Sequence, residues 1–313
     1  MKPISRPVRR GLILFFLTVA LASVLHLALW AMQSYQSSKV QDGLEQLYHQ
    51  GGLTIGQSDP NQETQEQAST EGAEENAGGT STENTNAETS FEPVMLPEYR
   101  KLYEINSDIV GWLNIGDGLL STPVMQRDNE YYLTHDFYGE DKHGQVFLDK
   151  GNSPQLTDDN TILYGHNITS DRSMFNILAR YKDTEFAAEH PVIQLNTLYN
   201  RRQYAVAAVY IVSTRPEHGE LFDYISYLKF STRDAKQAYI AQIQKRSLID
   251  TGVKMTADDR LLTLSTCTYE FADARLVVVA RQLREGESAE DFGKQVVKRE
   301  NPVMPQIWNE LFG

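Results

Sequence analysis

The only cysteine in 313 residues, Cys267, ends the alternating run Thr263-Leu264-Ser265-Thr266-Cys267. Eight residues on, Arg275 opens a second run, Arg275-Leu276-Val277-Val278-Val279-Ala280. Alternation of this kind reads as a half-buried strand, so the thiol is expected at a strand end. The loop Thr268 to Ala274 then returns the chain and sets the guanidinium beside it. A cation there favours the thiolate over a thiol whose free pKa is about 8.5. Its donors can also hold a tetrahedral oxyanion, a contact worth roughly 100- to 1000-fold in rate. Each residue has a plainer reading as well. A lone cysteine is most often a small buried hydrophobe, and Arg275 could form a surface bridge to Glu270 or Asp273.

A cysteine nucleophile needs a proton donor for its leaving group, and histidine suits that task near neutral pH. Of the seven histidines, His26 and His49 precede any domain, and His135, His143, His190 and His218 lie in polar, loop-like surroundings. His166 differs. It ends the apolar run Thr161-Ile162-Leu163-Tyr164-Gly165 at a Gly-His-Asn turn, the same strand-end placement as Cys267. No His/Cys/Asp cluster has ligand spacing, so neither a metal nor another cofactor is expected.

The elements that must position these side chains are short and β-rich. Strands are predicted at Ile109–Ile115, Gly144–Asp149, Asn160–His166, Pro191–Thr197, Arg202–Ser213, Arg260–Cys267 and Ala274–Leu283. Helical spacing marks Pro97–Ile105, Met174–Tyr181 and Thr232–Leu248, the last with a Ser231/Thr232 cap. Many short strands with helical interruptions make a mainly β protein, a closed or nearly closed barrel.

Upstream, Lys2, Arg6, Arg9 and Arg10 precede the uncharged apolar run Gly11 to Met32. About 20 helical residues cross a bilayer core of about 30 Å. The basic flank predicts a signal anchor with its N-terminus cytoplasmic and the rest of the chain extracellular. The small-x-small pattern Ala20-Leu21-Ala22 sits too deep in the run for a cleaved leader. Residues 33–49 could prolong the helix until Gly51-Gly52 breaks it. From Gln57 to Ser90 no aromatic or large aliphatic side chain occurs, which predicts a disordered spacer on which the domain can swing. Much of the net charge of -13 lies there: nine carboxylates between Ser58 and Glu92, with no Lys or Arg. There is no basic footprint for nucleic acid, and one cysteine excludes a disulfide scaffold. The expected organisation is a basic segment (1–10), an anchor (11–32), a stalk and linker (33–92), a catalytic domain (93–285) and an extension of unassigned role (286–313).

The strand TLSTC with its following arginine on RLVVVAR, and LYGHN upstream, resemble the sortase family over roughly residues 95 to 285. The segment YGHN…MF (Tyr164–Phe175) and the long helix near 232–248 match its class B branch. That resemblance implies an eight-stranded β-barrel with N-terminal helices and a helical insertion between the sixth and seventh strands. It also implies a transpeptidase that cleaves a C-terminal sorting motif of secreted proteins through a thioacyl intermediate. The acceptor would be an amine, usually of a peptidoglycan precursor, or a pilin lysine in the pilus-building branch. That branch's proline after the cysteine is absent, since Thr268-Tyr269-Glu270 follow. The family's catalytic residues fall on His166, Cys267 and Arg275. Its substrate contacts fall on Asn129, Leu133, Tyr164, Thr214 and Ser265. Arg172 stands where the family commonly has glycine.

Overall fold

The computed structural model describes residues 6–53 and 93–313. The acidic spacer, Gln57 to Ser90, lies outside them. In chain order the elements are α1 (Arg6–Leu53), α2 (Pro97–Ile105), β1 (Ile109–Ile115), β2 (Leu120–Met125), β3 (Phe147–Leu148), β4 (Asn160–Tyr164), β5 (Asn167–Ile168) and β6 (Ser173–Met174). A 3-10 helix over Phe175–Lys182 leads to α3 (Thr184–Glu189), β7 (Val192–Thr197) and β8 (Gln203–Ser213). Then come α4 (Arg233–Arg246), β9 (Ile249–Asp250), β10 (Leu261–Thr268), β11 (Ala274–Gln282), β12 (Val297–Lys298) and α5 (Gln306–Phe312).

Eight strands close into a barrel in the order β1-β2-β3-β4-β10-β11-β8-β7. Taken in chain order its sixth and seventh strands are β8 and β10, and α4 is the helical insertion between them. Thr232 caps α4 by accepting from Ala235 N at 3.1 Å. Alternation sorts the side chains of β10 and β11. Leu262, Leu264, Leu276 and Val278 fill the barrel, while Leu261, Val277 and Val279 pack outward under α4 with Tyr239, Ile240 and Ile243. Gly111 sits at a register shift of the β1–β2 pair, and a Cβ there would lie 2.3 Å from Asn196 O on the other neighbour, β7. Only glycine allows that approach.

Three expectations change. Strand β2 is missing from the sequence reading because Pro123 interrupts it, yet all six of its residues are buried. The helical spacing of Met174–Tyr181 is realised as a 3-10 helix over Phe175–Lys182, with Met174 ending β6. The third concerns the stalk. Helix α1 runs through Gly51-Gly52 to Leu53, 48 residues or about 72 Å, more than twice what a bilayer core needs. In its first part, apolar side chains such as Leu14, Phe16 and Leu21 stand exposed, as on a helix long and apolar enough to cross a membrane. Its last part docks on the barrel. Leu44 is fully buried, and Tyr48 stacks on Trp112 with ring centroids 4.3 Å apart. Gln41 Nε2 donates to Ser121 O, and Asn196 Nδ2 donates to Tyr48 OH at 3.1 Å. Residues 33–53 are therefore not a free stalk; they form a wall of the globular unit together with α2.

The C-terminal extension also packs down. Strand β12 pairs with β9, and Met304, Ile307 and Trp308 lie against the barrel core. Arg172 adopts φ +60°, the left-handed region, which accounts for the glycine preferred at that turn.

Candidate active site

Strand register brings the three candidate residues to one edge. Cys267 and Arg275 are direct partners in the antiparallel pair β10–β11. Parallel pairing of β4 with β10 sets Tyr164 opposite Ser265. His166 lies two residues beyond Tyr164, just past the end of β4, and Cys267 lies two residues beyond Ser265 on β10. Alternation sends Ser265, Cys267 and Arg275 to the outer face, since their neighbours Leu264 and Leu276 point into the barrel. The site is thus a patch on the barrel wall near the strand ends.

Hydrogen bonds fix this edge. His166 Nε2 donates to Leu133 O at 2.7 Å, which leaves Nδ1 as the nitrogen able to take up a proton. Asn167 Nδ2 donates to Cys267 O at 2.9 Å, and Tyr269 OH donates to Asn167 O at 2.8 Å. Thr266 Oγ1 donates to Gly165 O at 2.7 Å, tying the ends of β4 and β10 together. The thiol itself is half-buried.

Arg275 has no carboxylate partner among the described residues; its Nη1 donates to Ala274 O at 3.1 Å. Both carboxylates that could have bridged to it are taken. Glu270 Oε1 accepts from Lys182 Nζ at 2.6 Å, and Asp273 accepts from Arg215 Nε. Burial raises the Glu270 carboxyl, but the bonds from Lys182 and Thr268 outweigh it and hold the group below the usual carboxylate range. The guanidinium is left to whatever binds beside Cys267.

The residues matched to substrate contact fall into two hydrogen-bonded groups. Asn129 Nδ2 and Tyr164 OH both donate to Asp149 Oδ2 at 2.9 Å, and Lys150 N donates to Asn129 Oδ1 at 2.8 Å. Burial, then the Asp149 charge, pushes the Tyr164 phenol far above its ordinary value. Leu133 takes part through its carbonyl, the one that holds His166. On the other side, buried Ser265 shares a 2.7 Å bond with Tyr224 OH. Thr214 is exposed and donates through Oγ1 to Asp273 O at 3.1 Å. It belongs to the rim.

Sequence reasoning missed Asp149, Asn167 and Tyr224. Asn167 follows His166 directly and was within reach. Tyr224 lies in an aperiodic segment. Burial raises its phenol, while the Ser265 bond and then the Arg275 charge pull it down; the bond to Ser265 sets it against the strand that carries Cys267.

Comparison with known proteins follows this geometry. The sortase domain family matches residues 113–283. Sortase B of Listeria monocytogenes is 34% identical over 196 residues, 61% of this chain and 76% of that protein. Sortase B of Staphylococcus aureus is 33% identical over 194 residues, 60% of this chain and 75% of that protein. Among solved structures, sortase B of Bacillus anthracis superposes with a TM-score of 0.59 at 28% identity, covering 81% of this chain and 99% of that one. The Staphylococcus aureus sortase B–substrate complex gives a TM-score of 0.55 at 32% identity, covering 61% and 87%. Barrel, insertion helix and relatives agree: the chain belongs to the sortase family, in its class B branch, and is a cysteine transpeptidase that acts on a sorting-signal-bearing substrate and transfers it to a cell-wall target.

Proposed function

We propose that Cys267 is the nucleophile of this reaction, His166 its general acid and base, and Arg275 the oxyanion donor. The observation that carries this reading is the register pair Cys267–Arg275, with both carboxylates near the guanidinium already engaged. The Cys267 thiolate attacks the carbonyl carbon of a threonine in the sorting motif, and Arg275 stabilises the developing oxyanion. As the intermediate collapses the C–N bond breaks, and His166 gives its proton to the departing amine. A thioester remains on Cys267. An acceptor amine, losing a proton to His166, attacks it; the new C–N bond forms as the C–S bond breaks, and the thiolate returns.

Asn129, Tyr164 and Ser265 are committed to internal bonds, so Tyr164 and Ser265 shape the floor of the sorting-peptide groove and Asn129 a wall, with Leu133 and Thr214 at its margins. The acceptor is an amine of a peptidoglycan precursor on the extracellular side. Helix α1 crosses the membrane once, with the basic residues before Gly11 in the cytoplasm.

Cys267→Ala tests the reading. Both cleavage of a fluorogenic sorting peptide and transfer to an amine should disappear while the melting temperature stays near the parent's. Turnover in that variant would overturn the mechanism, because the chain has no second thiol.

A further inference from the structure

A second histidine stands behind His166. His143 is buried, and its two ring nitrogens both face carboxylates. Nδ1 lies 2.7 Å from Asp141 Oδ1, and Nε2 lies 3.2 Å from Asp171 Oδ2. Nδ1 donates to the Asp141 carboxylate, and Nε2 faces the Asp171 carboxylate within ion-pair distance. The ring thereby joins two turns that are far apart in sequence, and each turn bears on His166.

The first turn is Asp141–Gln145. Gly144 there has φ +61°, and a Cβ on it would lie 2.4 Å from Tyr132 O and 3.0 Å from Leu133 O. Gln145 N donates to Tyr132 O at 2.8 Å. This turn is therefore seated on the very segment whose Leu133 carbonyl holds the His166 ring. The second turn closes the β5–β6 hairpin, which begins at Asn167, immediately after His166. Asp171 in that turn also accepts from Ser173 N at 3.0 Å and Ser173 Oγ at 2.6 Å. From α1, Ser34 Oγ donates to its other oxygen at 3.2 Å. Three segments thus meet at one carboxylate–imidazole–carboxylate bridge: the carrier of the Leu133 carbonyl, the backbone continuation of His166, and the docked helix.

We propose that His143 is a positioning residue for His166: by bridging Asp141 and Asp171 it holds the Leu133 carbonyl and the His166 backbone in one geometry, and Ser34 extends that bridge to α1. The inference rests on His166 as the acid/base group. Loss of the bridge leaves Asn129, Tyr164 and Ser265 on their own bonds and lets the His166 ring wander. Misplacement of a reacting group by about 1 Å can cost about 100-fold, and a partial release costs less.

The test uses the full-length chain in detergent micelles. His143→Ala should lower kcat about 10-fold with KM for the sorting peptide within about twofold, and should shift or broaden the 15N resonances of the His166 ring. His143→Gln, which keeps one donor, should recover part of that loss. Ser34→Ala should cost about twofold in kcat. An unchanged kcat, a rise in KM alone, or a loss that follows melting temperature with the His166 resonances unmoved would overturn the proposal. Should His143→Ala fail to fold, Asp171→Asn and Ser34→Ala carry the same readouts. His166→Ala run alongside separates the two ideas. Activity without His166 removes the acid/base reading; an inactive His166→Ala beside a fully active His143→Ala removes only the bridge.

Discussion

The floor of the proposed groove and its walls are built differently. The floor is strands β4, β10 and β11, in which ladder bonds and alternation fix where Ser265, Cys267 and Arg275 point. The walls are irregular segments, 126–135 on one side and 214–232 on the other, held by scattered side-chain and backbone bonds outside any strand ladder, such as Asn129 to Asp149 and Tyr224 to Ser265. Reacting atoms tolerate little displacement, and the strands supply that precision. Recognition of a peptide can be spread over several contacts, and loops suffice for it. Substitutions on the floor should therefore act on kcat, and those on the walls more on KM and stability.

The largest test of that division is Arg275. Arg275→Lys keeps a positive charge but replaces a planar fork of donors with a point charge. It should lose on the order of 100-fold in kcat/KM, about 2.7 kcal/mol of transition-state stabilisation, and Arg275→Ala should lose more. Melts of both variants should stay close to the parent, because the guanidinium bridges no carboxylate among the described residues. A near-parental rate for Arg275→Ala in steady-state assays would take the arginine out of the reaction.

The same division explains what could be read from the chain. Period-two alternation in β10 and β11 marks the floor, and a strand end needs only local sequence to be seen. Strand β2 escaped because Pro123 masks it, although Gln145 Nε2 satisfies Thr122 Oγ1 and Pro123 O from outside the strand. The docking of α1 had a signal in Val40, Leu44, Leu47 and Tyr48, an apolar stripe at helical spacing within a polar segment. Tyr224 had none. Its partner Ser265 is 41 residues away, and only the closed fold brings them together.

Tyr224→Phe probes the wall where it touches the floor. Removing the hydroxyl leaves buried Ser265 Oγ without its partner, at a cost of about 1 to 2 kcal/mol in stability. The phenol makes no bond to Cys267, so kcat should fall no more than about threefold. Chemical denaturation and steady-state kinetics on the one variant measure both numbers. A loss in kcat rivalling that of Arg275→Lys would show that the wall takes part in the chemistry, and the division would fail.

The smallest effect is expected in the return loop between Cys267 and Arg275, where Lys182 holds Glu270 at 2.6 Å. Burial raises the Glu270 carboxyl, but the Lys182 and Thr268 bonds bring it below its ordinary value. A carboxyl that is depressed in the folded state stabilises the fold above its unfolded pKa of about 4.3, and that contribution is lost as pH falls through the folded value. Lys182→Met should therefore lower stability at pH 7, by less than about 1 kcal/mol because the lysine is partly exposed. On acidification the parent and the variant should converge. Activity at pH 7 should hold, since the ladder bonds of β10 and β11 set the Cys267–Arg275 pairing and the loop ion pair does not. Melts of both proteins from pH 7 down to about pH 3 read the difference directly. A gap that persists at the acid end would assign the lysine's contribution to packing of its stem. A fall in kcat at pH 7 would mean that the return loop, and not the strand register alone, sets the distance between thiol and guanidinium.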